Sequence, residues 1–197
     1  MRTLSKHSEQ TGRSMVEMLG VLAIVGVLSI GGIAGYSKAM AKYKVNKTID
    51  QVSMLITSIR TTYGNQNSYK GLDNATAVSY DLAGNDLSGG TPSTLTNVYS
   101  GTVTITAADA SGEACSATFC PTFSIKYQNI ERQACAAIAS SDWGGSAASG
   151  LLQIVVGTKV FKWGDNTNKL PISFVDAMAA CGGTDAYAAK DITWVYN

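Results

Sequence analysis

The feature that most constrains this chain is an apolar run that passes, without a break, into an amphipathic one. From Met15 to Ala34 every residue is apolar or small except Glu17 and Ser29. A bilayer core of roughly 30 Å takes about 20 apolar residues of helix, so the run is long enough to span. Beyond it Val45, Ile49, Val52, Ile56, Ile59 and Tyr63 recur at spacings of four, three, four, three and four. That is one stripe of a helix, with Lys, Asn, Thr and Gln on its other faces. No proline lies between Met15 and Tyr63. The two halves therefore predict one helix of nearly 50 residues, roughly 70 Å at 1.5 Å per residue, ending at Gly64. The stripe is expected to pack on the chain's own globular part, with subunit contacts sharing what remains.

Glu17 is the anomaly. A charge at the centre of a span costs on the order of 2.5 to 3.5 kcal/mol on insertion scales, and such residues are usually paired or functional. A residue that merely snorkels to the interface is the bland alternative.

The apolar run is longer than the core of a cleavable secretory signal and leads directly into helical sequence, which favours an anchor. Charge gives a poor vote on orientation: Arg2, Lys6 and Arg13 precede the run, while Lys38, Lys42, Lys44 and Lys47 follow it. The cysteines outweigh it. All four lie between 115 and 181, an even set on one side of the span that suits an oxidising compartment. With 15% charged residues and a formal net charge of +1, the chain lacks the bulk charge of a nucleic-acid-binding surface.

After the helix the text becomes rich in Gly, Asn and Ser. Residues 64–96 read as a connecting loop, with a short helix from Asp73 to Leu82 capped by Asp73 and stopped by Gly84. Residues 97–197 read as an α+β head. Alternation marks strands in TVTIT, TFSIKYQ and the closing ITWVY, and a hairpin across LLQIVV-GT-KVFKW at 151–163. Short helices are expected at Glu131–Ala139 and at Ser173–Cys181, where Ser173 and Asp176 have capping-box spacing. SSDWGGSAASG reads as a flexible surface loop. The fold class is thus α+β: a long N-terminal helix with a small antiparallel-sheet head.

Little in the head carries chemistry. The sole histidine is His7, ahead of the span, so no Ser-His or Cys-His pair and no histidine-based zinc site is expected beyond it. GDN at 164–166 and GGTD at 182–185 read as turns. No cofactor and no metal are expected, and the chain reads as a non-enzyme. Cys115 and Cys120 form C-x4-C, too wide for the C-x-x-C redox motif, and a small loop disulfide is the preferred reading. A bond between Cys135 and Cys181 would tie the C-terminal segment to the middle of the head and contribute about 4 kcal/mol by loop entropy. Four cysteines allow three connectivities, and the sequence alone does not choose among them.

GRSMVEMLGVLAIVGVL, preceded by the short polar stretch MRTLSKHSEQTG, resembles the leader-peptidase site and N-terminal helix of type IV prepilins and type II secretion pseudopilins. TTYGNQNSYKGLDNATAV, GTVTI, FSIKYQNIERQAC and ISFVDAMAAC followed by ITWVY resemble the head of type IVb pilins, in which a disulfide delimits the C-terminal region. Cys135 and Cys181 fall at the matching places. The resemblance implies a leader at 1–12, cleaved between Gly12 and Arg13 by a prepilin peptidase, and a mature chain N-methylated at Arg13. Glu17 becomes its fifth residue. Two departures stand out. Arg13 occupies a position where the family generally has Phe, Met or Leu, and the helix-kinking proline is missing near Ala34. Gly31, Gly32 and Gly35 are the flexible positions instead, and Gly31 to Gly35 is a G-x-x-x-G spacing that permits close helix packing.

What the resemblance implies for function is a structural subunit of a type IV, IVb-like pilus. It would be held in membrane lipid as a single-pass inner-membrane protein with its head in the periplasm. An inner-membrane assembly platform would then draw it into a self-assembled filament on the cell surface. The alternatives are a type II secretion pseudopilin, a minor priming pilin, and a membrane-anchored binding protein.

Overall fold

The computed structural model describes residues 11–87, 91, 93–144, 146–182 and 189–197, with the side chains of 11–14, 85 and 147 left aside. The expected leader lies outside the described residues from 1 to 10. The chain divides into two units, Met1–Lys42 and Tyr43–Asn197.

Helix α1 runs from Thr11 to Tyr63, the uninterrupted element that the run and the stripe predict. Within the second unit, Val52, Leu55 and Ile59 are fully buried and Tyr63 nearly so, while Val45, Ile49 and Ile56 pack at the edge of the same core. Burial of each such aliphatic side chain stabilises by about 2 kcal/mol, so packing, more than helix propensity, holds this half in place.

The sheet has six strands, β1 (Leu95–Thr96), β2 (Thr102–Ala108), β3 (Thr122–Ile130), β4 (Leu151–Val156), β5 (Lys159–Lys162) and β6 (Lys190–Tyr196). Their spatial order is β1-β2-β3-β6-β4-β5 and every pairing is antiparallel. The C-terminal strand thus lies at the centre. Period-2 alternation selects the core face, and register lines up Ile105, Ile125, Trp194, Ile154 and Phe161 as one buried row across five strands. A slip of one residue in any strand would turn that strand's apolar set outward. Gly157, at φ +61°, opens the two-residue turn between β4 and β5, a backbone geometry that glycine adopts without strain.

Among the described residues the unit also has three short α-helices, α2 (Asn74–Ser79), α3 (Arg132–Ala139) and α4 (Phe174–Gly182). Asp73 caps α2 by accepting from the Thr76 N–H at 2.7 Å, but the helix ends well before Leu82. Asp81 takes a left-handed conformation (φ +54°), its N–H donates to the Val78 carbonyl, and the Leu82 N–H donates back to Ala77. These two bonds close a Schellman stop, and it buries Leu82. At α4 the Ser173 hydroxyl accepts from the Asp176 N–H and donates to its carboxylate.

Besides the end of α2, two readings of loops change. The stretch read as a flexible loop, SSDWGGSAASG, places Trp143 in the core, where its Nε1–H donates to the Ile138 carbonyl at 2.7 Å and its ring packs on Trp194 at 4.9 Å. Tyr196 completes the lock by donating its hydroxyl to the Trp143 carbonyl. The stretch read as a connection also gives more than a link: Leu72, Ala77, Leu82 and Leu87 are core residues, and Leu95 starts the sheet.

Candidate assembly site

The first unit presents its side chains outward. From Met15 to Ala39 every one is exposed, and α1 is long and apolar enough there to cross a membrane. A helix apolar on all sides needs lipid or other helices around it. The Ser29 hydroxyl is satisfied within the helix by the Val25 carbonyl at 2.7 Å. Glu17 differs: its carboxylate is exposed and forms no ion pair or hydrogen bond among the described residues. Gly12 and Arg13 lie in the first turn of α1, with Glu17 one turn after Arg13. Gly31 and Gly35 also lie one turn apart, and an added Cβ at either would meet nothing, so this helix surface is open to close approach.

In the second unit the four cysteines form two bonds, Cys135–Cys181 and Cys115–Cys120. The first joins α3 to the end of α4, and the second closes a small loop after β2. That loop receives the chain as it leaves α1: the Tyr69 N–H donates to the Cys120 carbonyl, and the Cys120 N–H donates to Ser68 Oγ, both at 2.9 Å. Aromatic rings continue the contact, with Tyr69 tilted against Phe123 at 4.8 Å and Phe123 stacked on Tyr196 at 5.9 Å.

Arg60, near the end of α1, is a structural residue that sequence reasoning missed. It donates to the Ser149 and Asn197 carbonyls and lies over the Tyr196 ring. Its backbone targets carry no residue signature, so no motif could have revealed it.

A groove of about 600 Å³ lies on the outer face of the sheet, floored by Thr104, Ser124, Lys126 and Thr193. Lys126 pairs with Asp191 at 3.1 Å, and Gln153 donates to the Ser111 carbonyl. The Lys126 and Asp191 charges neutralise each other, and the hydroxyl of Ser111, which lines the groove, donates to the exposed Asp109 carboxylate at 2.6 Å, a group that also accepts from the Glu113 N–H in the same turn. No cluster of metal-ligating side chains occurs among the described residues.

A long N-terminal helix followed by an antiparallel sheet with a disulfide-bounded C-terminal region defines the type IV pilin fold. The likeness extends to the type IV b pilin from Salmonella typhi, at 16% identity and a TM-score of 0.53 over 76% of this chain and 97% of that one. It extends also to TcpA, a type IV pilin from Vibrio cholerae El Tor biotype, at 12% identity and 0.51 over 79% and 99%. A family model described as PilS N terminal matches residues 42–197, and the chain belongs to that family. No curated protein sequence matches it. The fold is that of type IV pilins.

Proposed function

We propose that the chain is a IVb-like pilus subunit that a prepilin peptidase cuts between Gly12 and Arg13 and that then assembles through α1. The segments are a leader at 1–12, the long helix at 13–63 with its span at about 15–34, and the head, to whose core and sheet residues 64–96 contribute. Before assembly the span lies in the inner membrane with the head in the periplasm. Extraction by the assembly platform moves the apolar surface from lipid to the helices of other copies, so burial is kept throughout.

Glu17 supplies the register. Cleavage creates an ammonium at Arg13, which is methylated without losing its charge. In the apolar filament interior, two opposite charges 4 Å apart attract by about 4 kcal/mol at an effective dielectric of 20, and a carboxylate left alone costs about 3 to 5 kcal/mol. A neighbouring copy is therefore held most firmly where its amine meets Glu17. Gly31 and Gly35 let helices approach closely. The observation that carries this reading is the Glu17 carboxylate, exposed and without a partner among the described residues, in the apolar stretch from Met15 to Ala34.

Mass spectrometry of the mature N-terminus in envelope fractions tests the processing step. The expected chain begins at a methylated Arg13. One beginning at Met1 overturns processing, and one beginning at Met15 moves the cut by two residues. Electron microscopy of the same cells separates a filament-building subunit from a pseudopilin or priming subunit, which gives no long fibres of this chain.

A further inference from the structure

Four lysines follow the apolar run, and they fall into two pairs. Lys44 and Lys47 are engaged by the second unit. Lys44 lies 3.7 Å from a Glu131 carboxylate oxygen and 5.3 Å from the centre of the Tyr99 ring. Lys47 donates to Asp86, whose carboxylate holds the ammonium above its ordinary pKa. Lys38 and Lys42 are exposed and have no acceptor or ion-pair partner among the described residues. They are one turn apart and so share a face of α1. Tyr36, two residues earlier, is 67% exposed.

Distance along the helix says what these free groups meet. The apolar run ends at Ala34, so at 1.5 Å per residue Lys38 lies about 6 Å and Lys42 about 12 Å beyond it. The headgroup layer on each side of a bilayer is about 5 to 7 Å thick. Lys38 therefore falls within that layer, and Lys42 reaches back into it by extending its side chain along the helix. An exposed tyrosine next to the edge of the hydrocarbon is the aromatic that favours this interface. Lys44, about 15 Å out by the same rise, lies past the layer, and there the protein supplies its own carboxylate.

We infer that Lys38 and Lys42, with Tyr36, form a collar that binds the phosphates of anionic phospholipids in the leaflet at this end of the span. The collar sets the depth of the subunit before it is extracted. The inference rests on the membrane-spanning reading of α1 and adds to it a choice of lipid. Charge complementarity picks the occupant, because two unneutralised ammonium groups at headgroup depth favour phosphatidylglycerol over zwitterionic phosphatidylcholine.

The test is electron spin resonance on the full chain reconstituted in phosphatidylcholine vesicles with a minority of phosphatidylglycerol. Spin-labelled versions of each lipid report the fraction held against the protein. The wild-type chain is expected to hold phosphatidylglycerol preferentially, and K38Q/K42Q to lower that preference by about five-fold or more. Inorganic phosphate at constant ionic strength is expected to leave the wild-type preference unchanged; its loss would mean a site for free phosphate and would overturn the lipid assignment. Equal preference in wild type and double variant overturns the collar while leaving the span intact. Absence of any immobilised lipid, of either kind, overturns the span and the collar together.

Discussion

Arg60 Nη2 donates to the Asn197 carbonyl at 2.7 Å across 137 positions of sequence, and Nη1 donates to Ser149 at 2.8 Å. The last turns of α1 are thereby latched to the end of β6, the strand at the centre of the sheet. The guanidinium also covers the Tyr196 ring at 5.2 Å, so one side chain joins helix, central strand and the 149–150 turn.

Hydrogen bonds from a charged donor contribute about 1.5 to 3 kcal/mol, and part of this site is open to solvent. Arg60→Ala is therefore expected to destabilise the fold by about 2 kcal/mol, measured by thermal unfolding of the detergent-solubilised protein. Arg60→Lys recovers less than half, since an ammonium lacks the planar fork that serves two carbonyls and stacks on a ring. Wild-type stability in either variant would show the latch to be idle.

The two disulfides differ in what they restrain. Cys135–Cys181 closes a separation of 46 residues and Cys115–Cys120 one of 5, for which loop entropy gives about 4 and about 2 kcal/mol. Cys135→Ser/Cys181→Ser is expected to lower the denaturation midpoint by about twice as much as Cys115→Ser/Cys120→Ser. The reverse order would place the main restraint in the small loop that receives the chain after Tyr63.

Alkaline pH probes the buried phenols. Burial pushes Tyr99 and Tyr196 up to about 12, and it also raises Tyr127, whereas tyrosines in the unfolded chain ionise near 10. Below pH 10 both states are neutral and the stability is complete. From pH 10 to about 12 the unfolded chain releases protons that the folded one keeps, so stability falls with rising pH. The melting temperature is expected to drop between pH 10 and pH 12, and Tyr99→Phe to make that drop shallower. A flat profile would contradict the burial of these hydroxyls.

Where local pattern and final burial coincide, the sequence was readable. The stripe from Val45 to Tyr63 and the alternation of Phe123, Ile125 and Tyr127 name both their element and the face it buries. Trp143 was not readable, because its Gly- and Ser-rich surroundings have loop character and its acceptor at Ile138 exists only once α3 has formed. The end of α2 is hidden in the sequence because Asp81, not Gly84, adopts the left-handed conformation more typical of glycine that stops it. At the candidate site Gly12 and Glu17 are legible through the resemblance and Arg13 is not, and on the proposed reading the group that Glu17 meets belongs to another copy of the chain, beyond the reach of one sequence.

On the proposed reading Glu17 sets the register by pairing with the amine of a second copy. The direct measurement is filament length and yield, by electron microscopy and shear-fraction immunoblot, for Glu17→Val expressed with its assembly machinery. Normal amounts of processed, membrane-inserted subunit are expected, with a loss of filaments of at least ten-fold, consistent with an interaction of about 4 kcal/mol per subunit. Filaments of normal length and yield from Glu17→Val would contradict that reading.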